Sequence, residues 1–238
     1  MKRLLAVGAL ACSSSISFAA PVTPTFDTFG ALPGATFGGS GISNTRVAQT
    51  TAASGATIAL SVTPRFSGPA VTDNGAGVYT VQAGVSPNPP SSPADPYALW
   101  NFNFYVGDTA AVDDLGFRLF WDFNPAAGTD ESALGVLGFN GQDLANNLFQ
   151  NSWNLGMDFL AGTAFGIVPP AGAFNPNALG EYSFVLAAYE TTGLGQQEVA
   201  RVAINVNVVG PNRVPEPSSL ALVGLALLGG TWVRRRRA

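Results

Sequence analysis

Between Asp108 and Glu131 the chain carries Asp108, Asp113, Asp114, Asp122, Asp130 and Glu131, six carboxylates within 24 positions. Carboxylates on loops, helped by backbone carbonyls, can cage a hard divalent cation, so these six are the candidate ligands of a structural Ca²⁺. No Asp-x-Asp-x-Asp-Gly loop organises them, which leaves the metal open. Acid–base chemistry on a glycosidic bond is the other possibility, because it needs only two carboxyl groups held across the bond. Asp114, Asp122, Asp130, Glu131 and Asp158 could supply such a pair in several combinations. The competing reading of each is an ordinary solvated loop residue.

Other chemistries are closed by what the chain lacks. It has no His at all, its single lysine is Lys2 and its single cysteine is Cys12. Ser-His-Asp, Cys-His and Ser-Lys nucleophilic catalysis are therefore excluded from the body, as are transition-metal sites built on His or Cys and phosphate loops that end in Gly-Lys. No catalytic residue and no organic cofactor are expected. From 20 to 213 the chain sets Arg46, Arg65, Arg118, Arg201 and Arg213 against 14 carboxylates, a net charge of −9. Such a surface repels a phosphate backbone, so nucleic acid is not a partner.

The elements that must position these groups have a period of two. Trp100, Phe102, Phe104 and Val106 alternate with Asn101, Asn103 and Tyr105. The same alternation runs through 117–123, 153–159, 182–188 and 202–208, with weaker strands at 57–63 and 77–85. Asp73-Asn74-Gly75, Pro87-Asn88-Pro89-Pro90, Asn124-Pro125, Asn140-Gly141 and Pro169-Pro170 punctuate them as turns. The stretch from Leu134 to Phe149 reads as a short helix or a long loop. The pattern predicts an all-β fold, an antiparallel two-sheet β-sandwich of roughly 6–9 strands. Trp100, Trp121 and Trp153 fall on the apolar phase and read as core.

Both ends carry processing signals. Lys2 and Arg3 precede an apolar run from Leu4 to Ala11, and Ser17 and Ala19 are the small residues three and one before a cut that leaves Ala20 first. Residues 1–19 are thus expected to be a signal peptide removed by signal peptidase, with 20–213 the sandwich body. At the other end Val214, Pro215, Glu216 and Pro217 lead into fourteen uncharged residues, Leu220 to Val233, and then Arg234, Arg235, Arg236 and Arg237. An apolar run walled off by prolines and closed by a basic cluster predicts a short C-terminal transmembrane helix. Its arginines would stay cytoplasmic and its body outside.

Those three parts in that order resemble the PEP-CTERM sorting signal of bacteria that make extracellular polysaccharide, over residues 214–238. The resemblance implies processing near Pro215-Glu216-Pro217 by a membrane transpeptidase of the exosortase type. Release or attachment at the cell surface would follow. The order Trp100-Asn101-Phe102, Trp121-Asp122-Phe123, Ser152-Trp153-Asn154 and Gly180-Glu181-Tyr182 is similar to other proteins with this tail, to which no activity attaches. The expectation is an exported cell-surface or matrix protein, held transiently in the membrane by its C-terminal helix. It would be non-enzymatic and would associate with extracellular polysaccharide. The alternative is a carbohydrate-active enzyme using a carboxylate pair.

Overall fold

The computed structural model describes residues 20–107, 112–193 and 195–211. The leader and the C-terminal tail lie outside them, and among the described residues no helix is long and apolar enough to cross a membrane. The described residues form eleven strands: β1 Thr28–Gly30, β2 Val47–Thr51, β3 Thr57–Pro64, β4 Thr72–Asp73, β5 Val78–Gln82, β6 Trp100–Gly107, β7 Leu115–Trp121, β8 Gly135–Asn140, β9 Phe149–Trp153, β10 Gly180–Thr192 and β11 Gly195–Val209. They build two sheets, one in the order β1-β2-β3-β6-β9 and the other β4-β5-β11-β10-β7-β8. The all-β, two-sheet expectation holds. The strand number exceeds the expected range, and one pairing departs from the antiparallel pattern, because β5 runs parallel to β11 from Val78 opposite Asn205 to Gln82 opposite Val209.

Alternation along β6 puts Phe102, Phe104 and Val106 on the inner face, and their register partners Val62, Leu60 and Ile58 on β3 share it. The second sheet answers with Leu119, Trp121, Phe184, Leu186, Ile204 and Val206, all fully buried. Aromatic rings join the layers. Phe102 stacks on Phe184 with centroids 4.7 Å apart, Trp100 meets the same ring edge-on at 6.3 Å, and Phe139 meets Phe149 at 5.0 Å. Offset and edge-to-face pairs of this kind contribute beyond the area they bury.

Two of the sequence expectations are corrected. The stretch from Leu134 to Phe149 holds β8 followed by two single 3₁₀ turns, Gly141–Asp143 and Ala145–Asn147. Gly135 and Gly138 blur its strand signal, and β7 decides the matter by pairing Phe117 with Phe139 and Leu119 with Leu137. The strand expected over 153–159 instead ends at Trp153. The Asn154 side chain then accepts the Gly156 N–H at 3.1 Å, and Asp158–Ala161 forms a 3₁₀ turn. Trp153 and Leu155 are buried as expected, but a turn and not a strand directs Leu155 inward.

Each sheet is also covered on its outer face. Residues 21–25 leave the edge of β11, where Thr25 and Ala203 exchange two hydrogen bonds, and Val22 packs on Val185, Ala203 and Leu134. On the first sheet, Leu32, Ala35 and Phe37 of the 31–46 loop pack against Ala59 and Val47. The Phe37 and Thr36 N–H groups both donate to Gln150 Oε1, at 2.7 and 2.8 Å, and so fasten that loop to β9.

Candidate functional site

The outer face of the first sheet carries a row of small polar side chains. On β6, Asn103 lies opposite Ser61 of β3 and Ser152 of β9, and Asn101 lies opposite Thr63. The Asn103 amide donates to Ser61 Oγ at 3.0 Å and to Thr63 Oγ1 at 3.1 Å. Asn101 Nδ2 donates to Ser152 Oγ at 3.0 Å, and Asn154 Nδ2 donates to Asn101 Oδ1 at 2.8 Å. The 31–46 loop covers only part of this row. Beyond it opens a groove of about 410 Å³, floored by Thr63, Asn101 and Ser152 and bounded by residues 39–43 and by Pro64, Arg65 and Phe66. Small-molecule sites span about 300–1,000 Å³, so this one is of useful size.

No motif or spacing marks Arg65 and Phe66, which sit in the turn after β3. The Arg65 N–H donates to Leu99 O at 2.8 Å, and Gly68 N–H closes the turn on Arg65 O at 2.9 Å. Glycine is needed at 68, because a Cβ there would stand 2.7 Å from Leu99 O. Phe66 has a φ of 51° and is 69% exposed. A bulky residue in the left-handed region is strained, and here the strain holds an aromatic ring out in solvent at the rim of the groove.

Arg65 itself is only 5% exposed. Its guanidinium lies between the rings of Phe66 and Tyr97, with centroids 4.9 and 4.7 Å away. Nη2 donates to Pro89 O at 3.2 Å, and Nε has no partner. Among the described residues Arg46 pairs with Asp73 at 3.2 Å and Arg201 pairs with Glu131 and Glu198, whereas Arg65 makes no ion pair. Burial pulls its pKa below the ordinary value, with Tyr97 acting the other way. Arginine nevertheless stays charged. A covered cation without a counter-charge is costly to hold.

The carboxylates singled out in the sequence do not converge. Asp108 lies outside the described residues. Asp113, Asp114, Asp130 and Asp158 are exposed, and Glu131 is taken up by Arg201. Among the described residues no three acidic side chains are grouped so as to hold a metal. The sorting residues Val214 to Pro217 and Arg234 to Arg237, like Ser17 and Ala19, also fall outside, and Ala20 is exposed.

Asp122 differs from the other acids in being 1% exposed. Its Oδ1 accepts the Asn124 N–H at 2.7 Å, but Oδ2 has no partner at bonding distance, since the Thr129 hydroxyl donates to Ala126 O at 3.1 Å. Burial raises its pKa, and the Asn124 N–H, Thr129 and the Ser183 and Phe123 backbone only partly offset that. An acid whose folded pKa is raised makes the folded state the better proton binder, so stability is lost as pH climbs from the unfolded value of about 3.9 through the folded one. Asp122→Asn keeps an acceptor for Asn124 and removes the buried charge. At pH 7 its melting temperature is expected to exceed that of the unaltered protein, by about 2–4 °C for each kcal/mol recovered. Thermal melts should show the gain closing below about pH 4. A variant less stable at pH 7 would show that the charge is compensated.

At the C-terminal end, residues 213–237 match the PEP-CTERM protein-sorting motif, consistent with an exosortase substrate. The match supports an exported protein processed by that membrane enzyme. No curated protein and no solved structure matches the chain.

Proposed function

We propose that the body is a non-enzymatic module that holds extracellular polysaccharide once the chain has been exported and sorted. One observation carries this reading: an open groove floored by amides and hydroxyls, with the exposed phenyl ring of Phe66 and the buried Arg65 in its wall. Sugars are bound through that combination, with hydroxyls meeting amide and hydroxyl groups and ring faces meeting aromatics. The scattered acids argue against hydrolysis, because the described carboxylates offer Asp122 as a buried acid and give it no counterpart across a cleft.

The test is co-sedimentation of the purified full chain with polysaccharide from producing cells, followed by sizing of the polymer. The protein is expected to sediment with the polymer and leave its length unchanged. Shortening of the polymer that disappears on replacing Asp122 or another carboxylate would establish the carbohydrate-active enzyme instead.

A further inference from the structure

We propose that the groove selects an acidic sugar: a uronate residue whose carboxylate pairs with Arg65, with its ring against Phe66 and its hydroxyls over Asn101 and Ser152. This rests on the polysaccharide reading above and names the chemistry of the ligand. Four observations converge on it. Arg65 is covered, charged and without a carboxylate of its own, while Arg46 and Arg201 each have one. Its buried Nε is unpartnered and one terminal nitrogen is bonded to Pro89 O, so the other terminal nitrogen is the one left to meet a carboxylate. Contacts with the Phe66 and Tyr97 rings hold the guanidinium in place, so a ligand would meet it at little entropic cost. Phe66 is kept in a strained backbone conformation and yet exposed, which folding alone does not require.

The charge of the body sharpens the argument. A net −9 between 20 and 213 opposes a polyanion at long range. Attraction must then be local, at a cation already stripped of water. The repulsive field is screened within about 8–10 Å at physiological salt, whereas the desolvated pair is screened much less. Affinity should hold or rise as salt increases from low to physiological strength, the reverse of simple ion exchange.

Calorimetry on the full chain would use tri-uronates (galacturonate, mannuronate and glucuronate), their carboxyl-reduced neutral counterparts, and sodium acetate and sulfate. At least one tri-uronate is expected to bind about tenfold or more tighter than its neutral counterpart. R65Q and R65K should lose that preference. F66N places a residue that tolerates positive φ at an exposed site, so it should melt like the unaltered protein and still bind several-fold more weakly. Equal binding of acidic and neutral trisaccharides would overturn the acidic preference and leave the polysaccharide reading standing. Binding of neither would remove both. Acetate or sulfate competing as well as a tri-uronate would show an anion site and no sugar site. Should the Arg65 variants fail to fold, unchanged affinity in F66N would overturn the proposal.

Discussion

Replacing Phe102 with alanine is expected to cost about 3–5 kcal/mol of stability. Domains have about 5–15 kcal/mol in total, so the variant would be close to unfolding at room temperature. Phe102 is fully buried, stacks on Phe184 of the opposite sheet at 4.7 Å, and meets the Trp153 ring edge-on at 6.2 Å. Removing it opens a hole where both sheets meet beside Trp153 at the end of β9, and neighbouring rings held by their own strands cannot collapse into it. Urea unfolding should show a midpoint shifted far down with a nearly unchanged slope. Leu179→Ser is the matched control: the side chain is 58% exposed, and its loss should change stability by no more than about 0.5 kcal/mol. A Phe102→Ala cost below about 1 kcal/mol, the range of ordinary substitutions, would mean that the sheets do not pack through this ring.

Strands with one covered face were legible in the sequence, and strands with two were less so. β6 and β7 alternate cleanly because their outward residues, Asn101, Asn103, Arg118 and Phe120, differ in kind or exposure from the inward ones. In β10 the run from Tyr182 to Ala188 is buried throughout, since Val22 and Leu134 lie over Val185 on its outer side. There the period survives as large side chains, Tyr182, Phe184 and Leu186, against smaller ones, Ser183, Val185 and Ala187, whereas β3, buried from Thr57 to Thr63, left only a weak signal. The short strands β1 and β4 left no signal because two or three residues cannot show a period. β8 was missed because its evidence lies on β7, in a pairing that no local pattern encodes.

The groove was illegible for a different reason. Part of its polar floor was visible as Asn101, an off-phase residue of β6, but off-phase residues in a sandwich are expected to face water and are not remarked. What makes them a site is the partial cover of the 31–46 loop and the turn that carries Arg65 and Phe66. Charge alone drew attention to the acidic stretch 108–131, where abundance did not become convergence. The more informative charge was the rarer one. Among four arginines in the described residues, only Arg65 is both buried and without a polar side-chain partner; Arg118 bonds Gln196, and the others have carboxylates.

The largest cellular effect is expected in the tail. Residues 213–237 match the sorting motif, and within them Leu220 to Val233 supply fourteen uncharged residues. As a helix at about 1.5 Å per residue they would extend about 21 Å, against a hydrocarbon core of roughly 30 Å. Such a mismatch is tolerable where the bilayer thins or flanking side chains adjust, and it would suit a temporary anchor better than a permanent one. Four arginines following such a helix would stop translocation and keep the body outside. Pro215 and Pro217 disfavour helix in the segment before them, which would present Glu216 to an enzyme at the outer face. Replacing Pro215, Glu216 and Pro217 together with alanine should leave the protein anchored and uncut. Replacing Arg234 to Arg237 with serine should instead weaken retention and impair processing, with uncut chain lost to the medium. Mass spectrometry of surface material reads both outcomes directly. If the surface form from a processing-competent host still carries intact Arg234 to Arg237, the tail is a permanent anchor and the sorting step does not act on this chain.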